Sequence, residues 1–259
     1  KKKEKKYTKT SKIEKFMYPK FGTGKFQEEK KKKKKKMGGE INLKKEVIGL
    51  LPNNANLNTV TVKNLSDGHI AQKKADYIFS SMPVRELVNS LAIDVPKKVR
   101  KIANQLEYRS FITVGLLLDA MKLNNKTNIE TINNLVPDNW IYIQEKYVKV
   151  GRIQVFNNWS PFMVSDSNKV WLGLEYFCNQ NDALWNKSDQ ELKNIAIDEL
   201  QNLDIADKQD LKGSVVIRSP KTYPVYNDAY KNFAEIKKFL DDFSNLYLIG
   251  RNGMHRYNN

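Results

Sequence analysis

The stretch that decides the fold is residues 246–259, which read Leu-Tyr-Leu-Ile-Gly-Arg-Asn-Gly-Met-His-Arg-Tyr-Asn-Asn. The first four residues, Leu246–Ile249, are apolar and β-prone, so they predict a short buried strand. Gly250 lets the backbone approach another group closely, and Arg251 offers a rigid fork of hydrogen-bond donors. A strand that ends in this way suits an electron-rich ring or a phosphate lying against backbone N–H groups.

The composition is that of a globular protein with one large domain or two small ones. The chain has 259 residues, of which 40% are hydrophobic and 10% aromatic, enough to bury a core. No apolar run is long enough to span a bilayer, and the lysine-rich N-terminus lacks the apolar segment of a signal peptide. With one cysteine, Cys178, and two histidines, His69 and His255, we expect no disulfide, no metal site and a cytoplasmic location.

The net charge of +16 is concentrated at one end of the chain. Residues 1–45 contain 19 lysines and five glutamates, a charge of +14, so the remaining residues together carry only +2. The lysines form two blocks, Lys1–Lys6 (interrupted by Glu4) and Lys30–Lys36, whereas nucleic-acid-binding proteins usually spread basic residues over a folded face. We therefore expect solvated charge and no specific nucleic-acid partner. A basic, non-enzymatic binding module stays open as an alternative.

The second lysine block predicts an unusual helix over Phe26–Met37, ended by Gly38. Like charges stand at every i,i+3 and i,i+4 pair of the block, which disfavours the helix. The block also lacks an apolar stripe with which the helix could dock on the protein. Either this helix is largely exposed, or these lysines do not represent the natural side chains.

Between the two ends, strands and helices follow each other in an order that favours a mixed α/β or α+β architecture. The predicted strands are Glu40–Leu43, Val47–Leu51, Asn58–Lys63, Ala75–Phe79, Tyr108–Leu118, Trp140–Gln144, Arg152–Phe156, Val170–Phe177, Ser214–Ile217 and Leu246–Ile249. Helices are predicted at Val84–Leu91, at Pro96–Leu106, after a capping box formed by Ser188 and Glu191, and at Asp228–Phe239. We expect the last strand to rejoin the first region.

No set of side chains in the sequence declares a reaction. The two histidines lack credible serine and aspartate partners, and Cys178 lies in a predicted strand without an evident histidine. The segment Gly22–Lys25 is too short for a phosphate-binding loop, and the pattern G-x-G-x-x-G does not occur. We therefore assign no catalytic residue. The chain either borrows its reagent from a cofactor or is not an enzyme.

Three clusters of aromatic and amide side chains lie at the ends of predicted strands, where ligand pockets are commonly lined. They are Asn157–Phe162, Glu175–Asn179 and Tyr223–Tyr226. For each cluster, packing in a core or a turn is the alternative interpretation.

Residues 246–259 closely resemble the C-terminal flavin-binding segment of bacterial FAD-dependent oxidoreductases, the superfamily of the amine oxidases, protoporphyrinogen oxidase and UDP-galactopyranose mutase. Met17–Phe26 and Gly38–Val47 look like the family's central stretch, in which a helix leads to a strand whose valine meets the adenine. Ala75–Pro83 is similar to the strand that closes this half of the FAD domain. Residues 108–114, 139–143, 173–177 and 223–226 resemble substrate-domain strands. The likeness covers roughly residues 13–259 and is specific only in combination.

The resemblance implies part of a Rossmann-like FAD-binding domain, formed by residues 1–93 and 243–259. It also implies a substrate-binding domain with a mixed sheet and helices, formed by residues 94–242. In this arrangement Val47 and the Gly250–Arg251 corner come together around one dinucleotide.

The family's functional residues transfer to single positions of this sequence. The resemblance places Val47 at the adenine, Gly250 and Arg251 near the flavin or its phosphates, and Tyr257 and Asn258 beside the flavin ring. On the substrate side, the aromatic clusters supply the candidates Trp159, Tyr176 and Tyr226.

The sequence departs from the family pattern in three places. The Rossmann unit whose glycine turn and acidic residue hold pyrophosphate and ribose is not in this chain. The helix at Phe26–Met37 carries lysines where the family has apolar residues. An aspartate and a helix normally follow the last strand, whereas this sequence stops at Asn259. We therefore expect the natural protein to continue, another piece to supply the missing unit, and this fragment alone to be inactive.

The resemblance implies a flavin-dependent oxidoreductase that removes a hydride from a C–N or C–C bond of an unidentified small molecule. A sugar-nucleotide isomerase similar to UDP-galactopyranose mutase is the alternative, because the Gly250–Arg251 ending is similar to the mutase's own and a fold does not choose between reactions. A scaffold-like relative that binds FAD without turnover is a third possibility. The sequence leaves the substrate, the electron acceptor and the oligomeric state open.

Overall fold

The computed structural model describes residues 17–257, so the lysine block Lys1–Lys6 and the predicted flavin residue Asn258 lie outside the described residues. The α-helices are α1 (Gly22–Lys36), α2 (Val84–Ser90), α3 (Lys97–Gln105), α4 (Phe156–Trp159), α5 (Asp189–Asn202), α6 (Phe233–Leu240) and α7 (Gly250–Gly253). The strands are β1 (Lys45–Asn53), β2 (Asn56–Asn64), β3 (Ile70–Lys74), β4 (Ile78–Ser80), β5 (Tyr108–Leu118), β6 (Trp140–Tyr142), β7 (Arg152–Val155), β8 (Val170–Cys178), β9 (Leu211–Pro224) and β10 (Leu246–Leu248). The predicted mixed α/β class is confirmed.

The strands form three sheets. β1, β2 and β3 make an antiparallel meander whose first turn lies at Asn54 and Ala55. β4 pairs in parallel with β10, and Leu246 lies opposite Ile78. The last strand therefore rejoins the first region, as the sequence predicts. The remaining five strands form an antiparallel sheet in the order β6-β7-β8-β5-β9.

The first core lies between the meander, the β4–β10 pair and the helices α2, α3 and α6. Its fully buried members are Leu57, Val84, Leu87, Val88, Ala103, Leu106 and Ile236. The sequence predicts that residues 94–242 form a domain of their own, yet α3 and α6 fall in this range and pack in the first core. The apolar stripe of a helix is visible in the sequence, but the element that the stripe faces is not.

The second core lies between the five-stranded sheet and α5. Side chains alternate across a strand, so Ile112, Val114 and Leu116 of β5 point toward α5 and are fully buried. The alternate residues of each strand point to the opposite side, which we call the open face. It stays accessible to solvent, since Phe177 is 41% and Ile217 54% exposed.

Both predicted helix ends are present. The Ser188 hydroxyl accepts a hydrogen bond from the Glu191 N–H, and the Glu191 carboxylate accepts one from the Ser188 N–H, which completes the capping box. At the end of α1, the N–H groups of Gly38 and Gly39 donate to carbonyls of the last turn in a Schellman motif. Most of α1 is exposed, in agreement with one of the two interpretations of the lysine block.

Three local predictions are wrong. Glu40–Leu43 is irregular, because pairing with β2 begins only at Lys45, after Lys44 takes a positive φ of 54°. The strand predicted at Ala75–Phe79 begins at Ile78. The helix predicted at Asp228–Phe239 begins as a 3-10 turn at Asp228–Asn232, and α6 continues it. The strand β3 is missed altogether, because every side chain in it is exposed and no alternation marks it.

Asn245 joins three parts of the first core. Its Oδ1 accepts from the Leu57 N–H at 2.9 Å, and its Nδ2 donates to the carbonyls of Leu57 and Asp76, each at 2.8 Å. The side chain therefore links β2, the segment before β4 and the start of β10. Asn245 is only 4% exposed, so water does not replace these bonds readily.

We expect the substitution Asn245→Ala to lower the free energy of unfolding by about 2–4 kcal/mol, because it leaves the buried N–H and carbonyl of Leu57 without partners. Urea unfolding followed by circular dichroism measures this loss. The exposed Asn128→Ala is the control and should change stability by less than about 0.5 kcal/mol. An equally small effect of Asn245→Ala would contradict the bridging role.

Candidate functional site

The parallel strands β4 and β10 end side by side at Ser80 and Leu248, where the chain turns into a corner at Gly250–Gly253. Gly250 has a φ of 70°, which favours glycine. A Cβ on Gly253 would lie 2.4 Å from the Ser80 carbonyl oxygen, so α7 rests directly on the end of β4. The short helix α7 follows this strand within the described residues.

Arg251 lies between two tyrosine rings at this corner. Its guanidinium carbon is 5.0 Å from the ring centre of Tyr223 and 4.6 Å from that of Tyr257. Its Nη1 donates to the Thr222 carbonyl at 3.3 Å, and the Tyr257 N–H donates to the Tyr226 hydroxyl at 2.7 Å. Arg251 and Tyr257, both predicted as cofactor residues, therefore lie together, and Tyr223 of β9 completes the stack.

Val47, the predicted adenine contact, lines two hollows beside the end of β4. The smaller hollow, of about 220 Å³, is mainly apolar and also includes Val60, Ile78, Ser81 and Leu87. The larger one, of about 650 Å³, runs along β1 and the start of α2. Ser81 borders the smaller hollow, and its Cβ lies 3.8 Å from a Cβ placed on Gly250. Ser81 therefore connects the hollow lined by Val47 to the corner.

The corner continues into the open face of the five-stranded sheet. Tyr223 lies opposite Arg109 in the register of β5 and β9, on the open side. Its ring centre is 6.1 Å from that of Phe111, the next open-face residue along β5. A single surface therefore runs from Arg251 through Tyr223 onto the sheet.

Three aromatic rings lie against glycines from neighbouring segments of the chain and form what we call the floor of the open face. A Cβ on Gly115 would come within 3.2 Å of the Trp171 ring, and one on Gly151 within 2.9 Å of the Phe177 ring. A Cβ on Gly173 would come within 2.8 Å of the Phe156 ring. Larger residues at these positions would displace the rings, so the glycines make room for the floor.

The polar part of the open face is a network around Glu175. This carboxylate is 3% exposed and accepts hydrogen bonds from Arg152 Nε at 2.7 Å and from Gln154 Nε2. The Arg152 guanidinium in turn lies 5.6 Å from the Trp140 ring centre and 5.8 Å from that of Tyr142. The network therefore fixes the guanidinium of Arg152 on the open face, close to the rings of Trp140 and Tyr142.

The three predicted substrate residues occupy three different environments. The Trp159 ring is 5.1 Å from that of Trp140, at the β6 edge of the open face, and 5.0 Å from that of Tyr18. Tyr226 lies at the Arg251 corner, where its hydroxyl bonds to Tyr257. Tyr176 is fully buried on the opposite side of β8.

The prediction for Tyr176 needs correction. Its hydroxyl donates to Glu199 of α5 at 3.0 Å, and burial raises the pKa of Tyr176 above its ordinary value. Residues of opposite parity point to opposite sides of a strand, so Tyr176 points away from the open face. The neighbours Glu175 and Phe177 face the open side instead.

Sequence reasoning missed several open-face residues: Trp140, Arg152, Gln154, Phe156 and Trp171. Alternation carried a usable signal for β7, because Ile153 and Val155 belong in a core and leave Arg152 and Gln154 on the other face. The local sequence does not reveal the floor of the open face, because each of its rings lies against a glycine from another segment of the chain.

His255 lies beneath the corner and is fully buried. Its ring makes an edge contact with Tyr108, with ring centres 4.8 Å apart, and Nε2 is 3.2 Å from the Val225 carbonyl oxygen. Burial lowers the pKa of His255 below its usual value, because the charged form is poorly solvated. The neutral imidazole is thus the form compatible with the folded corner.

Other classes of site find no support in the described part of the chain. Among residues 17–257, no three histidine, cysteine, aspartate or glutamate side chains are grouped to hold a metal ion. Within the same range, no helix has the length and apolar character needed to cross a bilayer.

Comparison with known proteins supports the fold. No protein-family model matches the chain, and no curated protein matches it. Among solved structures, reduced UDP-galactopyranose mutase is similar over 93% of this chain and 48% of its own, with a TM-score of 0.70 and 22% identity. A putative protoporphyrinogen oxidase from Exiguobacterium sp. 255-15 is similar over 84% of this chain and 45% of its own, with a TM-score of 0.57 and 16% identity.

A third similar structure is an oxidoreductase from Methanosarcina mazei, with a TM-score of 0.53 and 15% identity over 90% of this chain and 49% of its own. The chain thus spans about half the length of the structures it matches. The resemblance drawn from the sequence is confirmed at the level of the fold.

We expect Tyr176→Phe to lower the free energy of unfolding by about 1–3 kcal/mol, because the buried Glu199 carboxylate loses a hydrogen-bond donor. Urea unfolding measures this effect. The exposed Tyr147→Phe, 68% exposed, is the matched control and should be neutral. If Tyr176→Phe is as neutral as the control, the assignment of Tyr176 to the core is contradicted.

We also expect the free energy of unfolding to decrease as the pH is lowered, because of His255. Since burial lowers its pKa in the folded state, the unfolded chain binds more protons, and the contribution present above about pH 6.5 is lost as the pH falls below that value. The substitution His255→Asn, which tolerates the positive φ of 43°, should flatten this slope in urea unfolding between about pH 7 and 5. The exposed His69→Asn should keep it, and a slope unchanged in His255→Asn would refute the assignment.

Proposed function

We propose that this chain forms the cofactor- and substrate-facing half of a flavin-dependent oxidoreductase, with FAD as its cofactor and a small molecule as its substrate. The fold shared with UDP-galactopyranose mutase and with an oxidoreductase is compatible with this activity. One observation carries the proposal: the Arg251 corner and the open face form a continuous surface that meets at Tyr223. A ligand bound at the corner would lie next to a ligand bound on the face.

The residues at the corner fit the chemistry of FAD. Val47 and its apolar neighbours offer a hollow of about 220 Å³, smaller than the roughly 300–1,000 Å³ of pockets for whole ligands. We assign this region to the adenine end only. Gly250 and Arg251 would hold a phosphate, since a guanidinium binds phosphate oxygens in pairs. Tyr257 and, outside the described residues, Asn258 would lie beside the flavin ring.

The open face would orient the substrate. Its floor of Phe156, Trp171 and Phe177 suits a planar or apolar portion of a small molecule. Arg152, held by Glu175 and framed by Trp140, would bind a polar or anionic portion. Trp159 at the edge and Tyr226 at the corner remain proposed substrate contacts. A bound flavin supplies two-electron redox chemistry, and the face would fix the substrate against it.

The proposed reaction needs more of the fold than these residues. The chain spans about half the length of the structures it resembles. We propose that a glycine-rich phosphate-binding unit completes the cofactor site and that this chain alone binds FAD too weakly for turnover. The lysine-rich helix α1 has no role in the proposed reaction.

A sugar-nucleotide isomerase is the second candidate function. The observation in its favour is the TM-score of 0.70 to reduced UDP-galactopyranose mutase, against 0.57 and 0.53 for the other two structures. A framed arginine and aromatic rings on one face also suit a sugar nucleotide, which carries both a planar base and phosphates. Conversion of a UDP-sugar without net oxidation by the complete flavoprotein would favour this candidate over the oxidoreductase.

We expect the purified 259-residue chain to bind added FAD in a saturable but weak manner, which quenching of flavin fluorescence measures. Arg251→Met should weaken this binding by about tenfold or more, because a charge-assisted contact to phosphate is lost. Arg218→Met is the matched control, since Arg218 lies on β9, the strand that Arg251 contacts, but bonds to Asp189 on the covered side. Non-saturable quenching, or equal affinities for the two variants, would exclude the assigned FAD site.

A further inference from the structure

The strand β9 carries an irregularity where it meets the corner. In its pairing with β5, Tyr223 lies opposite Arg109 and Ser219 opposite Phe111. A single residue of β5 therefore faces three of β9, Pro220, Lys221 and Thr222, which we call the β9 bulge. Lys221 has a left-handed φ of 52°, and its N–H donates to the buried Ser110 hydroxyl at 3.1 Å.

The carbonyl groups of the bulge hold the corner. The Lys221 carbonyl accepts a hydrogen bond from Asn252 Nδ2 at 3.0 Å, and the Thr222 carbonyl accepts one from Arg251 Nη1 at 3.3 Å. The next residue, Tyr223, packs its ring against the same guanidinium. Three consecutive residues of β9 thus contact two consecutive residues of α7. A regular strand would turn alternate carbonyls toward its neighbours instead.

The side chain of Lys221 reaches the other core. Its Nζ forms an ion pair with Glu86 Oε1 on α2, and both side chains are about one-third exposed, at 34% and 31%. Glu86 also lines the larger hollow beside Val47. One residue therefore contacts the corner through its backbone and the wall of the Val47 hollow through its side chain.

We propose that Lys221 is a positioning residue for the corner at Gly250–Gly253. It acts through the β9 bulge, and its ion pair with Glu86 holds it in place. A non-glycine residue in the left-handed region persists only where its surroundings hold it, and such residues concentrate at functional sites. Here the Ser110 hydroxyl, the Asn252 amide and the Glu86 carboxylate hold it from three sides. This inference rests on the proposed function, because the side chain that Lys221 positions is Arg251, the proposed phosphate contact.

The first experiment measures the corner without any ligand. Hydrogen exchange of the 250–254 amides, followed by mass spectrometry, is compared in the full chain and in the variants Lys221→Met and Glu86→Gln. We expect each variant to accelerate exchange there about tenfold, and the double variant to go no further, because both remove one interaction. The control Lys208→Met, which breaks the exposed pair with Asp198 of α5, should leave these amides unchanged.

Two further variants separate charge from backbone and from loss of folding. Lys221→Gly relieves the left-handed φ but lacks the ion pair, so it should behave like Lys221→Met. The charge swap Lys221→Glu with Glu86→Lys should restore slow exchange, even if a single variant unfolds. Exchange at the wild-type rate in Lys221→Gly, or no recovery in the charge swap, would overturn the positioning role of the pair.

The second experiment compares FAD with riboflavin, which lacks phosphates. If Lys221 positions Arg251 for a phosphate, Lys221→Met should weaken FAD about fivefold and leave riboflavin unchanged, whereas general loosening would weaken both. Equal loss for both ligands would overturn the inference. If the wild-type chain binds no FAD while the variants still accelerate exchange at residues 250–254, the proposed function fails and the positioning contact stands.

Discussion

The guanidinium of Arg251, held between the rings of Tyr223 and Tyr257, joins parts of the molecule that belong to different cores. Arg251 follows β10, which is paired to β4 beside the first core, whereas Tyr223 belongs to the sheet of the second. Cation–ring contacts are worth more where water is partly excluded, and here the carbonyl of Thr222 adds a hydrogen bond. The open face and the corner become one surface because this contact exists.

Burial of one side of the five-stranded sheet dictates what the other side can be. Residues of β5 and β8 in the second core are aliphatic, apart from Cys178 and from Tyr176, whose hydroxyl donates to Glu199. The other side of the sheet, the open face, carries Arg152, Glu175 and the aromatic rings of the floor. Gly115 lies directly opposite Gly173 in the register. Because neither residue has a side chain, aromatic rings from neighbouring positions cover the centre of the face.

Local patterns predicted much of this fold. The capping box at Ser188, the glycine end of α1 and the long strand at Tyr108–Leu118 depend on residues close in sequence. Their interactions are short-ranged, so the sequence contains nearly all the required information. The strand β3 lacks such a pattern, because pairing with β2 decides it.

The candidate site divides in the same way. The Gly250–Arg251 corner was visible in fourteen consecutive residues, since glycine after an apolar strand and an adjacent arginine is a local arrangement. The sequence did not place Tyr176 on the covered side and Glu175 and Phe177 on the open face, because alternation shows that neighbours face opposite sides but not which side is covered by α5. The β9 bulge contacts Glu86 and Asn252, which both lie far from it in sequence. Long-range packing alone brings those side chains together, and no local pattern encodes it.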